Sequence, residues 1–162
     1  MLENSKHIII IGAGIAGLSA ALSLRHFGIR SSIYERSPKI ISAGAGIQLS
    51  PNANRVLSRI GVLKEISSVS IRCHGVKVFD YKSNQQLALF DYMKFKGNDF
   101  FYFCHRADLV GVLYAACQKL EIPVYFNKKL EKLINKKAVF SDGEALSAEL
   151  IIGADGLPVS YT

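Results

Sequence analysis

The chain has 162 residues, of which 49% are hydrophobic and 20% charged, and it contains neither repeats nor low-complexity segments. These values exclude a disordered or fibrous protein and are typical of one domain with a substantial core. The net charge of +7 suits an anionic partner, but no ladder of aromatic residues accompanies the late lysines. We therefore predict no nucleic-acid partner and expect a solvated sheet face that carries Lys128, Lys129, Lys132, Lys136 and Lys137.

The three cysteines, Cys73, Cys104 and Cys117, are odd in number and widely spaced. This favours a reducing compartment over a disulfide framework, so the predicted location is the cytoplasm. The first apolar run ends at Arg25 and His26 without a small-residue cleavage site. We therefore expect neither a signal peptide nor a transmembrane segment. The oligomeric state stays open.

The first predicted elements are a strand, a helix and a second strand. Residues 7–11 form a β-branched apolar run, as in a strand buried on both faces of a parallel sheet. Apolar residues recur at helical spacing over residues 13–27, and Gly28 suits the end of that helix. A second strand is predicted at residues 31–34, and Glu35 follows it directly.

The turn between the first strand and the helix has the spacing G-x-G-x-x-G at Gly12, Gly14 and Gly17. The first glycine permits a tight turn, the second lets backbone amides approach a pyrophosphate, and the third lets the helix pack closely. The helix N-terminus attracts phosphates, and a carboxylate at Glu35 suits the two hydroxyls of an adenosine ribose. This pattern predicts a dinucleotide site but leaves both NAD and FAD open.

The stretch SAGAGIQLSPNANRVLSRIG, residues 42–61, predicts a loop followed by a helix. Gly44 and Gly46 leave the backbone bare, so that a flat ring can lie against it. Ser50 and Pro51 suit the first positions of the helix. Its expected apolar stripe consists of Val56, Leu57 and Ile60.

Residues 104–120 predict a further helix, with Arg106 near its start. A cation there opposes the helix dipole and calls for an anionic neighbour, either Asp108 or a cofactor phosphate. The expected core face consists of Leu109, Val112, Leu113, Ala116 and Leu120. Residues 150–152 predict another buried strand. Asp155 then follows at its carboxyl end, where open α/β sheets bind ligands.

Four pieces of the sequence together resemble one known family: GAGIAG with Glu35-Arg36, GAGIQLSPNA, HRADL and IIGADG. They resemble, in the same order, the N-terminal part of FAD-dependent aromatic hydroxylases. This is the class of flavoprotein monooxygenases that includes p-hydroxybenzoate and salicylate hydroxylases. NAD dehydrogenases share only the first piece. The resemblance implies an α/β fold, namely a Rossmann-like FAD-binding domain of the glutathione-reductase type with the first strands of a substrate-side β-sheet.

The resemblance also implies cofactor contacts. The pyrophosphate would contact Gly12, Gly14, Ile15, Ala16 and Gly17, and the adenosine ribose would contact Glu35, with Arg36 beside it. The flavin would lie against Gly46, Ile47 and Gln48, and Arg106 would contact the phosphate or ribityl region of the cofactor. The adenine would lie by the backbone near Leu130, and Asp155 would be associated with both FAD and the nicotinamide donor. Some relatives carry a catalytic histidine at the position of Gln48, so no catalytic residue is predicted here.

The implied activity is hydroxylation of an electron-rich aromatic compound by molecular oxygen. NADH or NADPH would reduce FAD, and a flavin hydroperoxide would transfer the oxygen. Alternatives within the enzyme class are a flavin-dependent epoxidase, a halogenase or a ubiquinone-pathway hydroxylase. The alternative from another class is a non-catalytic remnant that binds FAD or nothing. The sequence leaves open both the aromatic substrate and the choice between NADH and NADPH.

The sequence departs from the family at residues 157–162, where the pattern D-G-x-x-S-x-V-R is expected. Ser160 stands one place late, and Thr162 occupies the position of the arginine. Since the family is more than twice as long, we expect a truncated or frameshifted product. Residues 72–103 would begin the substrate-domain β insertion and leave an exposed apolar patch.

Two further groups of residues invite a functional reading. The pairs Cys73-His74 and Cys104-His105 resemble halves of a zinc site, but adjacent strand residues point to opposite faces, so no metal is predicted. An aromatic run at residues 101–103 is expected to pack in the core of the small sheet rather than contact a substrate.

Overall fold

The computed structural model of the chain describes residues 7–40, 44–94, 100–135 and 137–156. Lys136, Asp99 and residues 157–162, where the sequence leaves the family pattern, lie outside these ranges. The elements are β1 (His7–Ile11), α1 (Ile15–His26), β2 (Arg30–Tyr34), β3 (Gly46–Leu49), α2 (Pro51–Arg59), α3 (Leu63–Ser68), β4 (Ile71–Cys73), β5 (Gly75–Phe79), β6 (Gln86–Asp91), a 3-10 turn (Tyr92–Lys94), β7 (Phe101–His105), α4 (Arg106–Lys119), β8 (Val124–Tyr125), β9 (Leu130–Ile134), β10 (Lys137–Phe140), β11 (Ala145–Ser147) and β12 (Leu150–Gly153).

The chain divides into two compact units. The inserted unit comprises residues 44–108, and the outer unit comprises the described residues before and after it. Among the helices of the described residues, none has the length and apolarity that crossing a membrane requires.

A parallel sheet in the order β12-β1-β2-β8 is the centre of the outer unit. Ile9 in β1 pairs with Ile151 on one side and with Ser32 on the other. The isoleucines of β1 are buried, and α1 packs its buried residues Leu18, Ala21 and Leu22 in the same unit. The predicted α/β class is therefore confirmed, as are the predicted strands before and after the first helix.

A smaller antiparallel sheet, β9-β10-β11, completes the outer unit. Its Phe140 stacks on Tyr34 with ring centroids 5.0 Å apart and belongs to a buried cluster with Ile9 and Ile11. Lys128, expected on a solvated face, instead forms ion pairs with both Asp142 and Glu144. The other described late lysines, Lys129, Lys132 and Lys137, are exposed as expected.

The inserted unit contains an antiparallel sheet in the order β3-β7-β4 and a separate hairpin of β5 and β6. Both faces of the hairpin expose apolar side chains. The exposed residues of the hairpin region are Val78, Phe79, Tyr81, Leu87, Leu89, Phe90 and Met93. The apolar patch expected in this region is therefore present.

Three burial predictions are wrong in part. In α2, Val56 is 49% exposed, whereas Asn54 is buried because its side-chain amide donates to the Phe100 carbonyl at 2.6 Å. The α4 core face includes Val110 and Cys117, but Leu120 lies beyond the helix and is exposed. The strand β12 is less buried than predicted because it lies at an end of the sheet order rather than in the middle.

The packing of α1 on the glycine turn generates a stability prediction for Gly17→Ala. A Cβ at Gly17 would lie 1.9 Å from the Gly12 carbonyl oxygen, a backbone atom that cannot rotate away. We expect the free energy of unfolding to fall by about 3 kcal/mol, as measured by urea denaturation. A Cβ at Gly111 in α4 would meet no heavy atom within 4 Å among the described residues. Gly111→Ala, the matched control, is expected to leave stability unchanged or raise it; equal losses in both variants would contradict the prediction.

Candidate functional site

The glycine turn is held at the carboxyl end of β1 by close backbone contacts. Gly12 has a φ of +105°, and a Cβ there would lie 2.5 Å from the Ala154 carbonyl oxygen. The Gly12 amide donates to the Tyr34 carbonyl at 2.8 Å, and the Ala154 amide donates to the Ile11 carbonyl at 2.7 Å. The turn is therefore fixed to the ends of both neighbouring strands, and Gly12 is required by the fold itself.

Gly14 differs from the other two glycines of the motif. Its φ is −81°, a value that most residues adopt, and a Cβ there would meet no heavy atom within 4 Å in the described part of the chain. A glycine at Gly17, in contrast, is required by the 1.9 Å approach to the Gly12 carbonyl oxygen. The fold thus explains Gly12 and Gly17, whereas Gly14 keeps a space open at the protein surface.

This space adjoins the N-terminus of α1, where Gly14 is the N-cap. The first amides of a helix have no acceptor within it, and in α1 these belong to Gly14, Ile15, Ala16 and Gly17. The first turn holds no acidic side chain that would compete for them. The helix dipole adds partial positive charge, so this end of α1 suits a phosphate group.

Glu35 lies beside the turn and holds two backbone amides. Its Oε2 accepts from the Ala13 N–H at 2.8 Å, and its Oε1 accepts from the Ser37 N–H at 2.9 Å. Burial of the carboxylate raises its pKa, but these two backbone hydrogen bonds and the charge of Arg36 outweigh that effect. The pKa of Glu35 is therefore below its ordinary value, and the residue is a stable anion at neutral pH.

The outer unit brings the other predicted contact residues to the same region. The Lys128 amide donates to the Glu35 carbonyl at 2.8 Å, which fixes the segment that leads into β9 at Leu130. Asp155 is exposed, and its Cα would lie 2.9 Å from a Cβ on Gly12. Arg36 is also exposed. The residues predicted for pyrophosphate, ribose and adenine thus surround the carboxyl ends of β1 and β2.

The inserted unit holds the residues predicted for the flavin. β3 pairs with β7 so that Gly46 lies opposite His105, and the exposed Gln48 lies opposite Phe103. A Cβ at Gly46 would meet no heavy atom within 4 Å among the described residues, so this backbone is bare as predicted.

Arg106 is the first residue of α4 and lies against the loop that precedes β3. Its amide donates to the Ala45 carbonyl at 3.1 Å, and a Cβ at Gly44 would lie 3.0 Å from its Cβ. A glycine at Gly44 therefore lets the arginine stem pack on the loop. The inserted unit thus joins Arg106 to the loop and strand that hold Gly46, Ile47 and Gln48.

The cysteine–histidine pairs have the alternation expected of strand residues. Cys73 and Cys104 are buried, whereas His74 and His105 are exposed. Within the described ranges, no three His, Cys, Asp or Glu side chains are close enough to hold a metal ion.

Three contributors to the site were not predicted from the sequence. The amides of Ala13 and Ser37 bind Glu35 through their backbone, which carries no signature of residue type. The third contributor is the packing of Arg106 on Gly44. A glycine at this position of the loop indicates close packing, but the sequence does not show that its partner is the distant Arg106.

The fold and the site define a dinucleotide-binding α/β domain in which an acid follows the second strand. The sequence matches the family described as an FAD binding domain over residues 5–159. The chain therefore belongs to this family of FAD-binding domains, as the resemblance of its four motifs to FAD-dependent hydroxylases predicts.

The chain is similar to named monooxygenases. It is 32% identical to 3-amino-4-hydroxybenzoate 2-monooxygenase of Streptomyces cremeus, over 97% of the chain and 41% of that protein. It is 34% identical to 3-hydroxybenzoate 6-hydroxylase 1 of Aquipseudomonas alcaligenes, over 94% of the chain and 41% of that protein. The chain thus spans about two fifths of the length of these curated relatives.

Solved structures show the same fold. The crystal structure of 2-methyl-3-hydroxypyridine-5-carboxylic acid oxygenase matches with a TM-score of 0.85 and 25% identity, over 94% of this chain and 40% of that one. The structure of CtdE in complex with FAD and a substrate matches with a TM-score of 0.79 and 25% identity, over 93% and 38% of the two chains.

The hydrogen bonds of Glu35 predict a pH-dependent stability. Because the folded-state pKa lies below the ordinary value of 4.5, the carboxylate stabilises the fold above that value. This contribution is lost as the pH falls through the lower, folded-state pKa. We expect the unfolding free energy of the wild-type protein to be higher than that of Glu35→Gln at neutral pH. The difference between the two free energies is expected to shrink as the pH falls. Urea denaturation from about pH 7 to about pH 3 measures it, and a constant gap would contradict the assignment.

Proposed function

We propose that the chain is the FAD-binding part of an NAD(P)H-dependent flavin monooxygenase that hydroxylates a small aromatic compound. The observation that carries the proposal is the open space at Gly14, which the fold does not require and which adjoins the amides of the α1 N-terminus. A diphosphate fits such a space, because it needs close backbone approach and positive potential together.

In this proposal the cofactor contacts are those that the resemblance to the FAD-dependent hydroxylases implies. The outer unit binds the diphosphate at residues 12–17, the ribose hydroxyls at Glu35 with Arg36 beside it, and the adenine at the backbone near Leu130. Asp155 serves the cofactor and the nicotinamide donor. The inserted unit lines the flavin with Gly46, Ile47 and Gln48, and Arg106 contributes its charge to the phosphate or ribityl region. The exposure of Gln48 and the bare backbone of Gly46 support this assignment.

Bound FAD would supply the redox chemistry, taking electrons from NADH or NADPH and passing them to molecular oxygen. The protein residues supply binding and orientation. Glu35 would accept hydrogen bonds from the ribose hydroxyls and, as an anion, would repel a 2′-phosphate at this position. The names of the relatives support a hydroxylated aromatic acid as the substrate class, since two of them are named for hydroxybenzoates.

We further propose that residues 72–103 begin the β region of a substrate domain. The hairpin of β5 and β6 and the strands β4 and β7 support this, because they form antiparallel pairs apart from the parallel sheet.

The cytoplasm is the proposed location. All three cysteines are free and buried, and burial raises the pKa of Cys117 to about 12, so this thiol stays protonated.

A second candidate function is a chain that binds FAD but does not turn over substrate on its own. The exposed apolar hairpin favours this candidate, because Leu87, Leu89 and Phe90 are each more than half exposed, at 64%, 52% and 56%. Such side chains are normally covered in a working enzyme. The two candidates share the FAD site and differ only in product formation.

The cofactor site is tested by Gly14→Val. The backbone angles of Gly14 allow valine and no described atom opposes its Cβ, so we expect a loss of stability of no more than about 1 kcal/mol, caused by the poorer N-cap, but an affinity for FAD at least about tenfold weaker. Flavin fluorescence titration measures the affinity, and Gly111→Ala is the control for a glycine with equally open surroundings. If Gly14→Val bound FAD as wild type does, the diphosphate assignment would be wrong.

The activity is tested with 3-hydroxybenzoate as the probe substrate. For the monooxygenase, we expect the FAD-loaded chain to oxidise NADH or NADPH and to form a dihydroxylated product, detected by mass spectrometry with ¹⁸O₂. The labelled oxygen is expected in the product. FAD binding without any labelled product from a panel of hydroxylated aromatic acids would favour the second candidate.

A further inference from the structure

We propose that Glu35 is a positioning residue for the diphosphate site as well as a ligand for the ribose, because its carboxylate braces the glycine turn through the Ala13 amide. This inference rests on the proposed FAD site and adds a role that ribose recognition does not include. It follows from distances in the outer unit alone.

The glycine turn is attached to the end of β2 by hydrogen bonds. Two consecutive amides of the turn bind the end of this strand: Gly12 donates to the Tyr34 carbonyl, and Ala13 donates to Glu35 Oε2, both at 2.8 Å. The second bond is the one that a side chain makes. The direction of the Ala13 amide plane, and with it the position of Gly14, therefore depends on the carboxylate.

Glu35 is itself held by its neighbours in the outer unit. Its amide donates to the Tyr125 carbonyl at 2.8 Å, and its carbonyl accepts from the Lys128 amide at 2.8 Å. Its other carboxylate oxygen accepts from the Ser37 amide at 2.9 Å. The residue is therefore fixed at both the backbone and the side chain, and it can act as a rigid support for the turn.

The Glu35 carboxylate can hold the turn and still accept a hydrogen bond from the ribose. A carboxylate offers about four lone-pair sites, and the two backbone amides use one on each oxygen. The Ser37 side chain also hydrogen-bonds the carboxylate, so one lone-pair site remains for a ribose hydroxyl. Bracing and ribose binding are thus compatible, and loss of Glu35 weakens cofactor binding through two separate routes.

The experiment compares FAD with an analogue whose adenosine ribose lacks both the 2′ and 3′ hydroxyls. Glu35→Gln keeps the size of the side chain but leaves only one oxygen to accept from the two amides. We expect the variant to bind the analogue about tenfold more weakly than wild type does, and FAD about a hundredfold more weakly. The exposed Glu65→Gln on α3 is the matched control for charge and is expected to change neither affinity. Equal binding of the analogue by wild type and Glu35→Gln would overturn the inference.

A second measurement needs no cofactor. In the wild-type chain, NMR hydrogen exchange at the Ala13 amide is expected to be slower than at the helix-end amides of Ile15 and Ala16. In Glu35→Gln, exchange at Ala13 is expected to accelerate more than exchange at Ile9 and Ile10 in β1, which follows only the loss of global stability. Exchange at Ala13 as fast as at Ile15 in wild type would overturn the brace. If the wild-type chain failed to bind FAD, the proposed function would be wrong. The exchange rate at Ala13 would still show whether Glu35 holds the glycine turn.

Discussion

The site depends on the close approach of three backbone segments at the carboxyl end of β1. The turn passes so near the loop after β12 that a Cβ at Gly12 would overlap the Ala154 carbonyl, and α1 passes so near the turn that a Cβ at Gly17 would overlap the Gly12 carbonyl. Because no side chain fits in either place, the helix N-terminus is brought to the sheet edge with its free amides outward. The proposed anion site is a result of this packing rather than an addition to it.

The glycines of the motif therefore serve different purposes. Two of them let the backbone pack on itself, and the third leaves open space beside the N-terminus of α1. The acid after β2 contacts the same turn through the Ala13 amide, and it is also the residue proposed for the ribose. Under that proposal stability and recognition are coupled at one carboxylate, whose burial is offset by two backbone amides.

Much of this arrangement is predictable from the sequence, for reasons that the structure makes plain. The isoleucines of β1 and the glycine spacing are local signals, and the strand, turn and helix they predict are present. The resemblance of four ordered motifs predicts the FAD-binding family, which the family match confirms. The side-chain environments of Val56 and Leu120 were not predictable, because helical periodicity gives a face but not what covers it. The Ala13 and Ser37 bonds were not predictable either, because a backbone donor is the same in every residue.

The pairing of β1 with β12 also has a consequence for synthesis. Residues near position 9 have neighbours near position 151, and the whole inserted unit is made in the interval between them. A nascent chain therefore carries a run of isoleucines with one unpaired strand edge until β12 leaves the ribosome. During that time the unpaired edge can pair with other extended apolar segments. Translation speed through the inserted unit then sets how long the chain is exposed to misassembly.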